Sequence, residues 1–510
     1  MSFEPMTTVR LLTGVPLDNT YSDTLTFSDP SFQTSYFTSK TKDVKNELTY
    51  QREQLYVDYP AEYDSIIDCN YLMYQNAAFN TKWFYGFIVK IEYWSEGLTR
   101  IYFEVDSYQT FMFDVQVKPC FVEREHVNDD SVGANLIDEG LSLGDFVCNG
   151  VTEHYYNDWW IVVGSNVDLS SSPEFPVAGG KFYGGTFSGI RYYCYSSAGA
   201  FNAMLDLLSQ AGKLENIVMV FMLPKEIVSP NQSSGEELEV NPSPSTAWNI
   251  PNTTSLNGYT PINNKLLTYP YRYVSLSNQA GSDATLRYEF WAIDAGELRC
   301  MGSISPNGKI WCWPQSYKGI PANFDEGVSV GNYPVCSWSG NTYANWVAQQ
   351  QVTTAMGLSA AVVSSGAKIA TGNVASGIAS LVSSAGSIAY NNMLGGIEHS
   401  FTPSQSKGNT GGENFQIMYQ NYGFIAKAMS ITADYAKTID NYFNAFGYKV
   451  NKVKIPNITG RPSWNYVKTV NAKIVGKCPA EHIDNIKNML NRGVTFWHGD
   501  YVGDYSRPNK

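Results

Sequence analysis

Residues Gly327-Val328-Ser329-Val330-Gly331 match GxSxG, the elbow on which a serine is offered for acyl transfer. That chemistry needs a strand before the serine and a helix after it. Pro334 opposes the helix, so a chance match is expected. His126 stands among Glu123, Glu125, Asp129 and Asp130, a set with the donors to bind a metal or exchange protons. It lacks HExxH or repeated ligand spacing, so a solvated turn or structural ion pairs are expected instead. Only five histidines occur: His126, His154, His399, His482 and His498. Gly179-Gly180-Lys181 lacks the upstream glycine and downstream hydroxyl of a phosphate loop. Eight cysteines (Cys69, Cys120, Cys148, Cys194, Cys300, Cys312, Cys336, Cys478) are widely spaced without a CxxC pair. Reduced, buried thiols are expected rather than a zinc ribbon or a disulfide scaffold. These residues predict no catalytic site, no cofactor and no metal, so the chain reads as something other than an enzyme.

The elements that position such residues are mostly strands. The chain has 510 residues, 43% hydrophobic, 14% aromatic and only 16% charged. Aromatics favour pleated, half-buried surfaces, which points to a mainly β protein with a few helices. A net charge of −12 argues against a phosphate-gripping surface, which needs clustered cations. The first ten residues show no basic stretch before an apolar run, so secretion by a signal peptide is not expected.

Residues 83–110 carry the clearest period of two. Phe87, Val89, Ile91 and Tyr93 alternate with Lys90 and Glu92, and Ile101, Phe103 and Val105 with Arg100, Tyr102 and Glu104. This predicts a β-hairpin with one buried face. Strand-like runs recur at 159–163, 182–195, 217–223, 271–276, 286–293 and 309–313. Residues 229–261, rich in Pro, Ser and Asn, read as a surface loop. Helices are predicted at 200–212, 432–446 and 479–490, the last two followed by Gly447 and Gly493 where C-terminal caps belong.

One stretch is unlike the rest. Between residues 327 and 397 the only Asp, Glu, Lys, Arg or His is Lys368, and residues 355–390 are almost wholly Ala, Gly, Ser, Val, Ile and Leu. Its larger aliphatics, Leu358, Val362, Ile369, Val374, Ile378, Leu381 and Ile388, recur at mostly helical gaps. A turn at Gly372-Asn373 would leave an arm over 355–371 of about 25 Å, close to the hydrocarbon core of a bilayer. Lys368 would then lie near the tip, where its ammonium reaches headgroups. A flexible polar hinge is read at 401–412. Two readings stand side by side: a membrane-active helical hairpin, or a hairpin buried between domains.

Several runs carry a resemblance. CFVEREHVNDD from Cys120, DNYFNAFGYKVN from Asp440, PNITGRPSWNYVKT from Pro456 and NRGVTFWH from Asn491 resemble the distal tail-tube, or tail-knob, proteins of phi29-type short-tailed bacteriophages of Gram-positive hosts. The resemblance spans most of the chain and is strongest over 80–130 and 430–500. It implies a homohexameric tube of β-rich modules at the end of the phage tail. Its partners would be other tail proteins, on the lower collar or connector side and at the distal tip, with genomic DNA in transit. It also implies that the apolar loop plugs the lumen and then penetrates the host cytoplasmic membrane. Family members are often longer, so the absence of an accessory outer domain is expected.

The corresponding organisation is an N-terminal β-rich tube module at 1–130 and a middle β-rich module at 131–345 with the 229–261 loop. An apolar loop and hinge follow at 346–412, then a C-terminal α+β module at 413–510. Two other classes remain in view. A cell-wall-degrading or carbohydrate-binding tail protein would use aromatics to stack on sugars and paired carboxylates for acid/base work. A pore-forming toxin would need strict alternation in its insertion and a secretion signal, and neither is read here.

Overall fold

The computed structural model describes residues 6–48, 55–76, 82–241, 245–250, 252, 254–291, 296–304, 308–331, 333, 335–336 and 422–510. They form two units. The first comprises Met1–Leu143, Pro261–Leu266 and Asp434–Lys510; the second comprises Gly144–Thr260 and Leu267–Ala433.

In the first unit a six-stranded antiparallel sheet runs in the order Thr41–Leu48, Thr7–Thr13, Cys69–Asn76, Phe84–Ser95, Leu98–Val105, Tyr56–Tyr59. The predicted hairpin is its fourth and fifth strands, with Gly97 at a φ of 70° in the turn. Thr99, Ile101 and Phe103 point into the core as the alternation requires. The partner strand does not keep one face. A register shift between Ile88 and Lys90 interrupts the period, and Val89 and Tyr93 are exposed while Tyr85 and Phe87 are buried.

A second sheet in this unit orders Asp23–Leu25, Val494–Trp497, Trp464–Val470, Cys120–Glu125 and Tyr448–Lys454. Its fully buried Trp464 and Trp497 lie 5.3 Å apart, centroid to centroid, and join Phe37, Tyr71 and Tyr85 in one core. The helix Ala480–Arg492 buries Ile486, Met489 and Leu490 against Val467, Val494 and Phe496. Gly493 ends it with φ 101°. The helix Ala433–Phe446 buries Ala436, Ile439 and Phe443.

The second unit holds three larger antiparallel sheets. One orders Phe146–Tyr155, Gly423–Ile431, Arg272–Ser277 and Asp283–Leu286. Another orders Arg191–Tyr195, Trp159–Ser165, Ile217–Pro224 and Val335–Cys336. In the third, Ser245–Asn249, Glu297–Gly302, Ile310–Tyr317 and Ile320–Ala322 follow in sequence, with Val328–Val330 also on Ile310–Tyr317. The helix Ala198–Gln210, capped by Ser197 on Ala200 N–H, buries Phe201, Met204, Leu205 and Leu208.

Two sequence readings change here. Residues 229–261 are not only surface loop: Ser245–Asn249 is a strand, and Leu238, Trp248, Ile250 and Leu256 are buried. The run at 286–293 ends as a strand at Leu286 and turns into a short 3-10 helix, Tyr288–Phe290. Aromatic content alone does not separate a strand from a tightly packed turn. Mainly β with few helices describes both units. The expected helical-hairpin insertion lies outside the described residues.

Candidate functional site

The described residues on either side of the apolar stretch both belong to the second unit. Val335–Cys336 pairs with Val220 and Phe221 at the edge of its sheet. On the far side, Tyr422 leads into Gly423–Ile431, a strand held between Phe146–Tyr155 and Arg272–Ser277. One flank thus ends on a sheet edge and the other is locked into a sheet interior.

Three aromatic rings bring the flanks together. Trp159 meets Tyr422 edge-on at 5.2 Å and Tyr333 at 6.4 Å, and the two tyrosine rings lie 6.4 Å apart. Such edge-to-face packing is favoured by the ring quadrupoles. Both tyrosines are almost fully buried, and each hydroxyl has a partner. Tyr422 donates to the Gly331 carbonyl and Tyr333 to the Lys309 carbonyl, both at 3.2 Å. The Tyr156 N–H donates to the Tyr422 carbonyl at 2.8 Å.

Two glycines make this base possible. A Cβ on Gly308 would stand 2.4 Å from the Tyr333 ring, so a side chain there would displace it. Gly423 has φ 156°, and a Cβ there would meet the His154 carbonyl oxygen at 2.1 Å. The strand after the apolar segment can start where it does only with glycine at that position. This aromatic base can tether a long segment at one spot, and the entropy cost of closing such a loop grows only slowly with length.

The residues singled out for the membrane-active loop, Leu358, Val362, Ile369, Val374, Ile378, Leu381, Ile388, Lys368, Gly372 and Asn373, lie outside the described residues. The GxSxG serine is on a strand: Val328–Val330 pairs with Ile310–Cys312, and the Ser329 carbonyl accepts from Asn278. The next element described is the strand Val335–Cys336, not a helix. Lys181 opens a short hairpin strand and pairs with Glu237 at 3.2 Å.

His126 is not in a solvated turn. It is buried, its Nδ1 accepts from Tyr466 N–H at 2.8 Å, and its Nε2 therefore carries the proton donated to the Asn444 carbonyl. Burial pushes its pKa down to about 4, so it is neutral. The neighbouring carboxylates do form structural ion pairs. Glu125 holds Lys454 and Asn457 N–H, Glu123 holds Lys468, and Asp130 takes Tyr448 Oη, Asn264 N–H and Lys510. The sequence reading missed Glu139, which is buried and holds Arg124, Lys265 and Lys449 N–H. Its partners are distant in sequence, so no local pattern marks it.

Cysteine burial also needs correction. Among the described cysteines Cys148 is exposed and Cys478 half-buried. No group of three or more His, Cys, Asp or Glu side chains among the described residues is placed to hold a metal ion. Nor is any described helix long and apolar enough to cross a membrane.

The profile of the C-terminal domain of the Bacillus phage phi29 tail knob protein gp9 matches residues 240–510, more than half of the chain. The chain belongs to the phi29 tail knob family. The profile of the caudoviral major tail protein N-terminus matches residues 5–116, which carry the six-stranded sheet. Tail knob protein gp9 of Bacillus phage PZA is 26% identical and that of phi29 24%, each alignment covering all of both chains. The PZA alignment runs over 601 positions against 510 residues here, so that relative carries segments without a counterpart in this chain. The solved structure of the bacteriophage C1 tail knob protein, gp12, matches with a TM-score of 0.67 over 99% of both chains at 14% identity, which shows a shared fold. As a member of the tail knob family the chain is a structural component of the virion tail, and its relatives are named as tail knob proteins rather than enzymes.

Proposed function

We propose that this tail knob protein assembles as a homohexamer into the distal end of the tail tube, a conduit through which the genome leaves the particle. Six copies of residues 355–390 fill the lumen before infection and then enter the host cytoplasmic membrane. Other tail proteins join the tube on the collar side and at the tip. The regions 1–130, 131–345 and 413–510 supply the tube wall, and 346–412 supplies the plug.

The observation that carries this reading is the pairing of an uncharged segment with a single anchoring point. A run with Lys368 as its sole ionisable Asp, Glu, Lys, Arg or His is costly to expose to water but compatible with close helix packing in lipid. Its flanks, Tyr333 and Tyr422, meet on Trp159. A segment tethered at one base can change its surroundings while the sheets beside it keep their pairing.

Electron microscopy of the purified protein tests the assembly, where six-fold hollow rings are expected and a compact monomer would overturn it. Removal of residues 355–390 tests the loop. The shortened protein is expected to form the same rings and to lose dye release from liposomes. Release equal to that of the full chain would refute the membrane role.

A further inference from the structure

The third sheet of the second unit brings two thiols face to face. Cys300 on Glu297–Gly302 and Cys312 on Ile310–Tyr317 are direct cross-strand partners in an uninterrupted register. The pairing type follows from the strand ends. Ser303 N–H donates to the Lys309 carbonyl at 2.9 Å, which makes Ser303 and Lys309 a hydrogen-bonded pair. Such pairs alternate along an antiparallel ladder, so Gly302 and Ile310 are non-hydrogen-bonded, Met301 and Trp311 hydrogen-bonded, and Cys300 and Cys312 non-hydrogen-bonded again. Partners of that last type have Cα atoms about 4.5 Å apart, within the range a disulfide spans.

Both side chains point into the core. Cys300 is 1% exposed and Cys312 0%. The Cys300 sulfur accepts from Trp248 Nε1–H at 3.3 Å. Burial opposes ionisation of Cys300, but its polar neighbours, among them His154 and the Trp248 donor, bring its pKa below the ordinary thiol value. Cys312 is pushed well above that value by burial and by Cys300 itself.

We propose that Cys300 and Cys312 form a cross-strand disulfide once the particle has left the reducing cytoplasm. Thiols of cytosolic proteins stay reduced, whereas virion surfaces meet oxidising conditions. This inference rests on membership of a virion protein family and is independent of the hexamer and of the apolar loop. With hydrogen peroxide as oxidant, the Cys300 thiolate attacks one peroxide oxygen. The O–O bond breaks, leaving a sulfenic acid and a hydroxide that takes up the thiol proton as water. The Cys312 sulfur then attacks the sulfenic sulfur, its proton joins the departing hydroxyl, and a second water leaves. Two thiols are oxidised and one peroxide is reduced to two waters.

The full-length protein is treated with dilute hydrogen peroxide under native conditions, blocked with iodoacetamide after unfolding, and digested. The expected product is one peptide pair joined through Cys300 and Cys312, two hydrogens lighter than the separate peptides, with Cys194 still alkylated as a free buried thiol. The thermal midpoint is expected to rise by roughly 5 °C and to fall back with dithiothreitol. Cys312→Ser should show neither effect. Recovery of Cys300 and Cys312 as separate alkylated residues, or as irreversible oxides, would overturn the proposal. Linkage of either one only to other cysteines would also overturn it. Because the peptide result is read on the unaltered chain, it holds even if the serine variant folds poorly.

Discussion

Two buried groups of the first unit titrate in the same pH range with opposite effect. Asp106 caps the helix Ser107–Phe111 through Gln109 N–H at 3.0 Å and accepts from Tyr71 Oη at 2.9 Å, yet burial raises its pKa to about 6. The folded state keeps that proton after the unfolded chain has lost it. Its contribution is therefore full below about pH 3.8 and lost as pH rises through about 6. His126, depressed to about 4 by burial, does the reverse: its contribution is full above about 6.5 and lost as pH falls through about 4. Each is worth about 3 kcal/mol across its window, so the two nearly cancel. Denaturant unfolding of Asp106→Asn should show stability climbing by about 3 kcal/mol from pH 4 to 6.5, and His126→Gln should show it falling. Parallel pH profiles for both variants and the unaltered chain would contradict these assignments. The sequence placed His126 beside carboxylates but could not show its burial. That depends on Tyr466 and Asn444, more than three hundred positions away.

Strands and helices were legible wherever their own period survived packing. The runs at 432–446 and 479–490 fold as Ala433–Phe446 and Ala480–Arg492 because one apolar stripe and a terminal glycine agree. Leu98–Val105 keeps strict alternation, while Phe84–Ser95 loses it where the register shifts. Pairing between strands beyond that hairpin was not legible. The pairing of Cys300 with Cys312 depends on register, and sequence spacing carries no trace of it. The base of the apolar segment was hidden for the same reason, because Trp159, Tyr333 and Tyr422 are far apart in the chain. Gly423 is the position where that base is most sensitive. Gly423→Ala puts a methyl against the His154 carbonyl and should destabilise the second unit by roughly 2–4 kcal/mol. Differential scanning calorimetry would register this as a lowered transition, and an unchanged thermogram would show that the strand start can shift to make room.

For the whole molecule, charge is the property that bears on the genome. A net charge of −12 gives double-stranded DNA no general attraction to the protein, as the proposed conduit requires. Gel-shift titration at roughly 0.15 M salt should show no retained complex. Retention that weakens steeply with added salt would instead indicate a cationic track along the wall. The aromatic base has a different consequence for how such a chain can vary. Because the Tyr333 and Tyr422 rings pack together with centroids 6.4 Å apart, whatever joins these residues starts and ends at one aromatic base. On the function proposed above, the intervening stretch is an exchangeable cassette: a foreign sequence grafted between these two tyrosines should leave the sheets on either side to fold from their own contacts.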